Sequence, residues 1–126
     1  MNKNTFGKHE RLKSRKSIES VFRTGSTIFS PPFRLLYRKV EDQESLKMTV
    51  AVPRKLVKRA VDRNKIKRRT REAYRTKKET LLTQLHSTGK ESYELVFLYQ
   101  SQDIADSKRI NSAINFLLIK LQERLK

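Results

Sequence analysis

The chain has no cysteine and no tryptophan, only three glycines, three prolines and two histidines, and few acids beside its basic residues. Without cysteine there is no disulfide framework, zinc finger, iron–sulfur site or thiol nucleophile, and no sign of an oxidising compartment. So few glycines and prolines leave little punctuation, and no repeat, low-complexity tract or linker divides the chain. At 126 residues, one domain spanning 1–126 is expected. No apolar run approaches the roughly 18 residues of a membrane span, and the basic first 16 residues lead into no apolar signal-peptide core. A cytoplasmic protein with no membrane attachment is the expectation. The catalytic patterns that could be read without structure are missing too. There is no P-loop, G-x-G-x-x-G or G-x-S-x-G, and His9 and His86 lack metal-ligand spacing. Glu41, Asp42 and Glu44 form the one tight acidic cluster and read as a solubilised hairpin tip. Neither a catalytic residue nor a metal site is expected in this chain.

What the chain does have is positive charge, 30 Lys and Arg against 13 Asp and Glu. The excess is local. Residues 54–78 hold 13 basic side chains against Asp62 and Glu72, residues 1–24 hold seven against two, and the remainder is nearly balanced. Such a concentration repels itself unless a polyanion neutralises it, and nucleic acid is the commonest such partner, with an anionic membrane surface as the rival. The first 13 residues are expected to be flexible until bound.

Apolar residues make up 36% of the chain, enough for a modest core. Ile18, Val21 and Phe22 fall at i, i+3 and i+4 after Ser17, a candidate N-cap, and Gly25 offers a left-handed stop, so a short helix ends near Thr24. Residues 27–30 read as an edge strand before Pro31 and Pro32. Residues 33–40 alternate, with Phe33, Leu35 and Tyr37 on one face and Arg34, Leu36 and Arg38 on the other. Leu46, Met48, Val50 and Val52 share a face of the next strand, closed by Pro53. A helix beginning near Asp62, after a packed turn over residues 56–61, carries a narrow buried stripe of Ile66, Thr70, Ala73 and Lys77. Residues 93–99 are apolar enough for a central strand covered on both sides. Ile110, Ala113, Ile114, Leu117, Leu118, Leu121 and Leu125 form a last amphipathic helix, capped by Asp106. The order α-β-β-β-α-β-α predicts an α+β fold, a two-layer α/β sandwich on a small sheet.

The segment 59–75, RAVDRNKIKRRTREAYR, spaces Arg63, Lys67, Arg71 and Arg75 one helical turn apart, so that successive turns can meet successive phosphates. With Lys58 in front, the pattern K-R-A-V-x-R-N-x-I-K-R-x-x-R-E resembles the signature of the bacterial ribonuclease P protein subunit. The core of that signature, Arg-Asn-Arg, a hydrophobic residue and Lys-Arg, reads here Arg63, Asn64, Lys65, Ile66, Lys67, Arg68. The resemblance covers nearly the whole chain, from Leu12, Ile18, Val21, Phe22 and Gly25 through VAVPRK to the last two elements.

The resemblance implies a left-handed βαβ crossover through the basic helix, and a protein that supports an RNA catalyst without cleaving RNA itself. The partners implied are the catalytic RNA of ribonuclease P and precursor tRNA, with no obligate protein partner. Mg²⁺ would serve the holoenzyme and be held mainly by RNA. Arg54, Lys55, Lys58, Arg59, Arg63, Asn64, Lys65, Lys67, Arg68 and Arg71 map to the surface that docks on the RNA subunit. Ile18, Phe22, Arg34, Leu36 and Arg38 map to a cleft for the single-stranded 5′ leader. Two departures stand out. Lys65 replaces an arginine and loses its planar fork, and of the three cleft positions often aromatic in the family, now Ile18, Phe22 and Leu36, only Phe22 can stack on a base. Ile18 and Phe22 read alternatively as ordinary core residues. A ribosomal or assembly RNA-binding protein of similar fold is the alternative function. If the 54–78 segment neutralises roughly 6–10 phosphates, affinity for RNA should fall by about 10³–10⁵ between 50 and 200 mM monovalent salt, measurable by filter binding.

Overall fold

A computed structural model describes residues 15–40, 46–88 and 92–124. Its elements are α1 (Arg15–Thr24), β1 (Ser26–Ser30), β2 (Phe33–Val40), β3 (Leu46–Ala51), α2 (Ala60–Thr88), β4 (Ser92–Tyr99) and α3 (Ser107–Arg124). The order is the one the sequence predicts, and the class is α+β. The basic segment 1–13, the acidic Glu41, Asp42 and Glu44, and Leu125 lie outside the described residues.

The four strands lie in the order β1-β2-β4-β3. β2 and β3, consecutive in sequence, do not pair with each other, so the expected hairpin between them does not form. β4 sits between them, antiparallel to β2 and parallel to β3. The reason is burial: β4 is the most apolar strand, and a central place covers both its faces. β1 forms one edge, pairing antiparallel with β2 through the Pro31–Pro32 turn.

On one face of the sheet, Phe33, Leu35 and Tyr37 of β2, Met48 and Val50 of β3, and Leu95, Phe97 and Tyr99 of β4 pack under α2 and α3. Edge-to-face rings knit this core, with Phe33 5.3 Å from Tyr99 and Tyr74 5.9 Å from Phe97. α3 contributes Ile110, Ala113, Ile114, Leu117, Leu118 and Leu121, all buried. Asp106 caps it as expected, its Oδ1 accepting the Arg109 N–H at 2.9 Å. Tyr99 Oη ties down the loop before α3, accepting the Ala105 N–H at 3.0 Å and donating to the Asp103 carbonyl.

α2 begins at Ala60, two residues before the expected start. Asp62 is inside the first turn, where its charge faces the positive end of the helix dipole, and Arg59 O accepts the first amides. The buried stripe is wider than Ile66, Thr70 and Ala73, because Tyr74 and Lys78 are buried beside them while Lys77 is only half-buried. Lys77 Nζ instead reaches Asn111 Oδ1 of α3 at 3.1 Å.

The second face of the sheet carries a smaller cluster, in which Val21 of α1 packs on Leu36 and Val96, flanked by Ile18, Ala51 and Leu98. Ser17 falls within α1, not at its cap. Gly25 stops the helix, its N–H bonding Val21 O at 2.9 Å, but the need for glycine is closeness and not a left-handed turn. A Cβ there would stand 2.5 Å from the Val21 carbonyl oxygen and 2.8 Å from that of Tyr37, both backbone atoms. Gly25→Ala should therefore destabilise the fold by about 1–3 kcal/mol, the cost typical of overpacking, read as a fall in thermal midpoint.

Candidate nucleic-acid interface

Two surfaces collect the polar and basic residues marked in the sequence. The first is the turn that follows β3 together with the first turns of α2. Pro53 O accepts the amides of Leu56 and Val57 at 3.1 and 3.0 Å, and Val57 is buried in the main core. This anchors the turn while Arg54, Lys55, Lys58 and Arg59 stay exposed. Among the described residues no carboxylate pairs with Arg54, Lys55 or Lys58. Arg59 stands 3.9 Å from Asp62 with most of its side chain in solvent.

Helical geometry divides the remaining basic residues. Asn64 and Arg68 point away from the core and are exposed, whereas Arg63, Lys67 and Arg71 lie along one flank and are half-buried. Lys65 and Arg69 lie on the opposite flank, toward α3. Arg69 Nη1 donates to Ala105 O at 2.8 Å, so this arginine fastens α2 to the α3 lead-in. Further along, Arg75 hydrogen-bonds Glu72 and holds its carboxyl below the ordinary value. Any stability this pair adds is present at neutral pH and lost as pH falls through the lowered value; in so exposed a pair it is small.

Arg63 departs from the simple picture of a row of phosphate contacts. Its Nη1 donates to Val57 O at 3.0 Å and to Lys58 O at 2.8 Å, so the guanidinium braces the basic turn from within the helix. It holds the carbonyls of the segment that displays Lys55, Lys58 and Arg59.

The second surface is the open face of the sheet beside α1. Register places Arg38, Glu94 and Lys47 in one row, Leu36, Val96 and Thr49 in the next, and Arg34, Leu98 and Ala51 in the third. The structure thus brings Arg34, Leu36 and Arg38 to one face with Ile18, as the alternation predicts. Their roles differ. Leu36 is 5% exposed and forms the floor beneath Val21, with Ile18 half-buried beside it. Phe22 is 44% exposed and Arg34 is exposed, so these two are open to a ligand. Arg38 is held by Glu94, whose Oε1 accepts from Nε at 3.0 Å and also from Nη2. At this end of β2 a shallow concavity of about 450 Å³ is lined by Arg38, Lys39 and Arg124 with Tyr37 and Tyr93.

Two residues of these surfaces were not anticipated. Glu94 lies within an apolar run, and nothing in the linear sequence points it at Arg38. Phe29 of β1 pairs with Arg34 and so lies on the same open face, 57% exposed. Carrying the β2 alternation through the Pro31–Pro32 turn would have placed it there.

The bracing by Arg63 sets an expectation for stability. Arg63→Ala should cost about 1–2 kcal/mol, as hydrogen bonds from a charged donor to backbone are lost, and Arg63→Lys should recover only part because it lacks the fork. Lys67→Ala should stay within about 0.5 kcal/mol of the parent in the same thermal melts.

With this geometry in view, residues 6–122 match the protein-family model for ribonuclease P. The ribonuclease P protein component of Porphyromonas gingivalis is 34% identical over 121 residues, spanning 93% of this chain and 88% of that protein. That of Aliivibrio salmonicida is 32% identical over 120 residues, spanning 95% and 92%. Among solved structures, the RNase P protein from Thermotoga maritima superposes with a TM-score of 0.67 at 24% identity, covering 88% of this chain and 96% of that one. A Staphylococcus aureus RNase P protein mutant with defective mRNA degradation activity gives 0.69 at 18% identity, covering 90% and 88%. A short brace of basic residues, a sheet with one open face and a match along nearly the full chain agree: this chain belongs to the ribonuclease P protein family.

Proposed function

We propose that the chain is the protein subunit of ribonuclease P, an RNA-binding accessory to an RNA catalyst that matures the 5′ end of tRNA. The observation that carries this reading is the pairing, on one small fold, of a turn and helix that display many basic side chains with a separate open sheet face. Arg54, Lys55 and Lys58 stand exposed, with Arg59 loosely paired to Asp62, on a turn whose shape is fixed from beneath. Asn64, Lys65, Lys67, Arg68 and Arg71 continue the positive surface along α2. These groups dock on the phosphates of the catalytic RNA, and Arg63 contributes by holding the turn.

The open face takes the single-stranded leader of precursor tRNA. Phe22 offers a ring for base stacking, Arg34 a charge for the backbone, and Ile18 and Leu36 an apolar floor. Arg38, already engaged by Glu94, offers its remaining edge at the rim. The chemistry of bond cleavage stays with the RNA. Among the described residues no three His, Cys, Asp or Glu side chains stand together as a cage for a divalent ion. In this reading Mg²⁺ is held by RNA phosphates, and the basic surface lowers the repulsion that RNA–RNA association must overcome. No helix among the described residues is long and apolar enough to cross a membrane.

Reconstitution tests the reading. At low Mg²⁺, a ribonuclease P RNA should cleave precursor tRNA at the 5′ maturation site much faster with this protein than without it, and the protein alone should leave the substrate intact. Stimulation equal to that of an unrelated basic protein would favour a ribosomal or assembly role.

A further inference from the structure

The open face of the sheet does not end at β2. From Ala51 on β3, the third row runs through Leu98 on β4 and Arg34 on β2 to Phe29 on β1. Ala51 stands three residues before Arg54, so this row starts where the basic turn begins. It crosses three strand spacings, about 14 Å, to the sheet edge. Along it Ala51 and Leu98 are half-buried and Arg34 and Phe29 exposed, which makes a continuous strip of apolar and cationic surface.

Phe29 is out of keeping with its strand. The other residues of β1 outside the core are Ser26, Thr27 and Ser30, all hydroxylic, while Ile28 turns inward to the core. A large ring 57% exposed, directly opposite an exposed arginine on the neighbouring strand, has the composition of a platform for single-stranded nucleic acid. Aromatic faces stack bases of any identity, and the adjacent guanidinium meets the backbone. α1 lies against the central strands β2 and β4, and along this row exposure rises toward the β1 end, from half-buried Ala51 and Leu98 to exposed Arg34 and Phe29.

We infer that Phe29 is a second base-stacking residue of the leader track, one that carries the 5′ leader across β2 to the outer edge of the sheet. It supplies the stacking that Leu36, buried under α1, cannot. The inference rests on the reading of the open face as the leader site and adds to it a direction and an end. A single strand leaving the basic turn follows the row Ala51, Leu98, Arg34, Phe29, so that Phe29 meets leader nucleotides only when the leader is long enough to reach it.

The test is equilibrium binding of the reconstituted holoenzyme, under non-cleaving conditions, to three RNAs: precursor tRNA with a long leader, the same tRNA with a one-nucleotide leader, and mature tRNA. Phe29→Ala and Phe29→Leu should weaken binding of the long-leader substrate by about 5- to 100-fold, the range of a lost stacked base. Phe29→Tyr should bind as the parent does, and all variants should bind the other two RNAs as the parent does. The leucine variant separates stacking from apolar area, and the tyrosine variant keeps the test decisive if alanine or leucine at the edge strand lowers the melting temperature. Parent-like binding of the long-leader RNA by Phe29→Leu, or an equal loss on mature tRNA, overturns the inference. Phe22→Ala serves as the reference. If it weakens the long-leader complex while the Phe29 variants do not, the track ends before β1 and the leader site stands. If the parent itself fails to distinguish leader-bearing from mature tRNA, the leader site and its extension fall together.

Discussion

Strand β4 has no face to give to water. Tyr93, Leu95, Phe97 and Tyr99 point into the larger core under α2 and α3, and Val96 and Leu98 point the other way toward α1. A strand of that composition has to lie inside the sheet, and here it lies between β2 and β3. From this the rest follows. β1 and β3 become the edges, α2 must cross the sheet to connect the parallel pair β3 and β4, and the turn leading into α2 emerges beside the row that ends at Ala51. The basic turn and the open face are neighbours because of where one apolar strand had to go.

The electrostatics follow the same division. Several of the few described acids sit beside particular cations: Glu94 holds Arg38, Glu72 holds Arg75, and Asp62 faces Arg59. Arg63 and Arg69 use backbone carbonyls instead. Such contacts fix side chains that organise the fold. Arg54, Lys55 and Lys58 of the turn after Pro53 have no such carboxylate among the described residues, and their repulsion is borne by a turn pinned through Val57 and braced by Arg63. In the proposed docking on phosphates, a surface prepared in this way would lose little conformational freedom, which would favour affinity without adding contacts.

The asymmetry between the two faces bears on function. Two long helices bury most of one face, whereas the ten-residue α1 covers only the middle of the other. The incompletely covered face leaves Phe22, Arg34 and Phe29 in solvent over a firm floor of Leu36 and Val96. A rigid sheet under exposed rings and charges suits an unstructured strand, which can lie along strand rows without requiring the protein to rearrange.

Much of this was legible in the residues themselves. Period-two alternation put Phe33, Leu35 and Tyr37 opposite Arg34, Leu36 and Arg38, the helical spacing from Ile110 to Leu121 marked the buried side of α3, and the spacing of basic residues over 59–75 marked the cationic flank of α2. These are local properties, set by backbone geometry within one element. What the linear pattern misplaced depends on contacts between elements. The hairpin expected from β2 to β3 gave way to an inserted strand, because burial of β4 outweighed the proximity of its neighbours in sequence. Gly25 serves the close approach of α1 to the Tyr37 carbonyl, which is a fact about packing. Arg63, spaced like a phosphate ligand, turns back to the carbonyls of Val57 and Lys58, and Phe29 joins Arg34 through strand pairing. Periodicity tells which side of an element is apolar, but only tertiary structure decides what each side meets, because pairing and packing energies are shared between residues far apart in the chain.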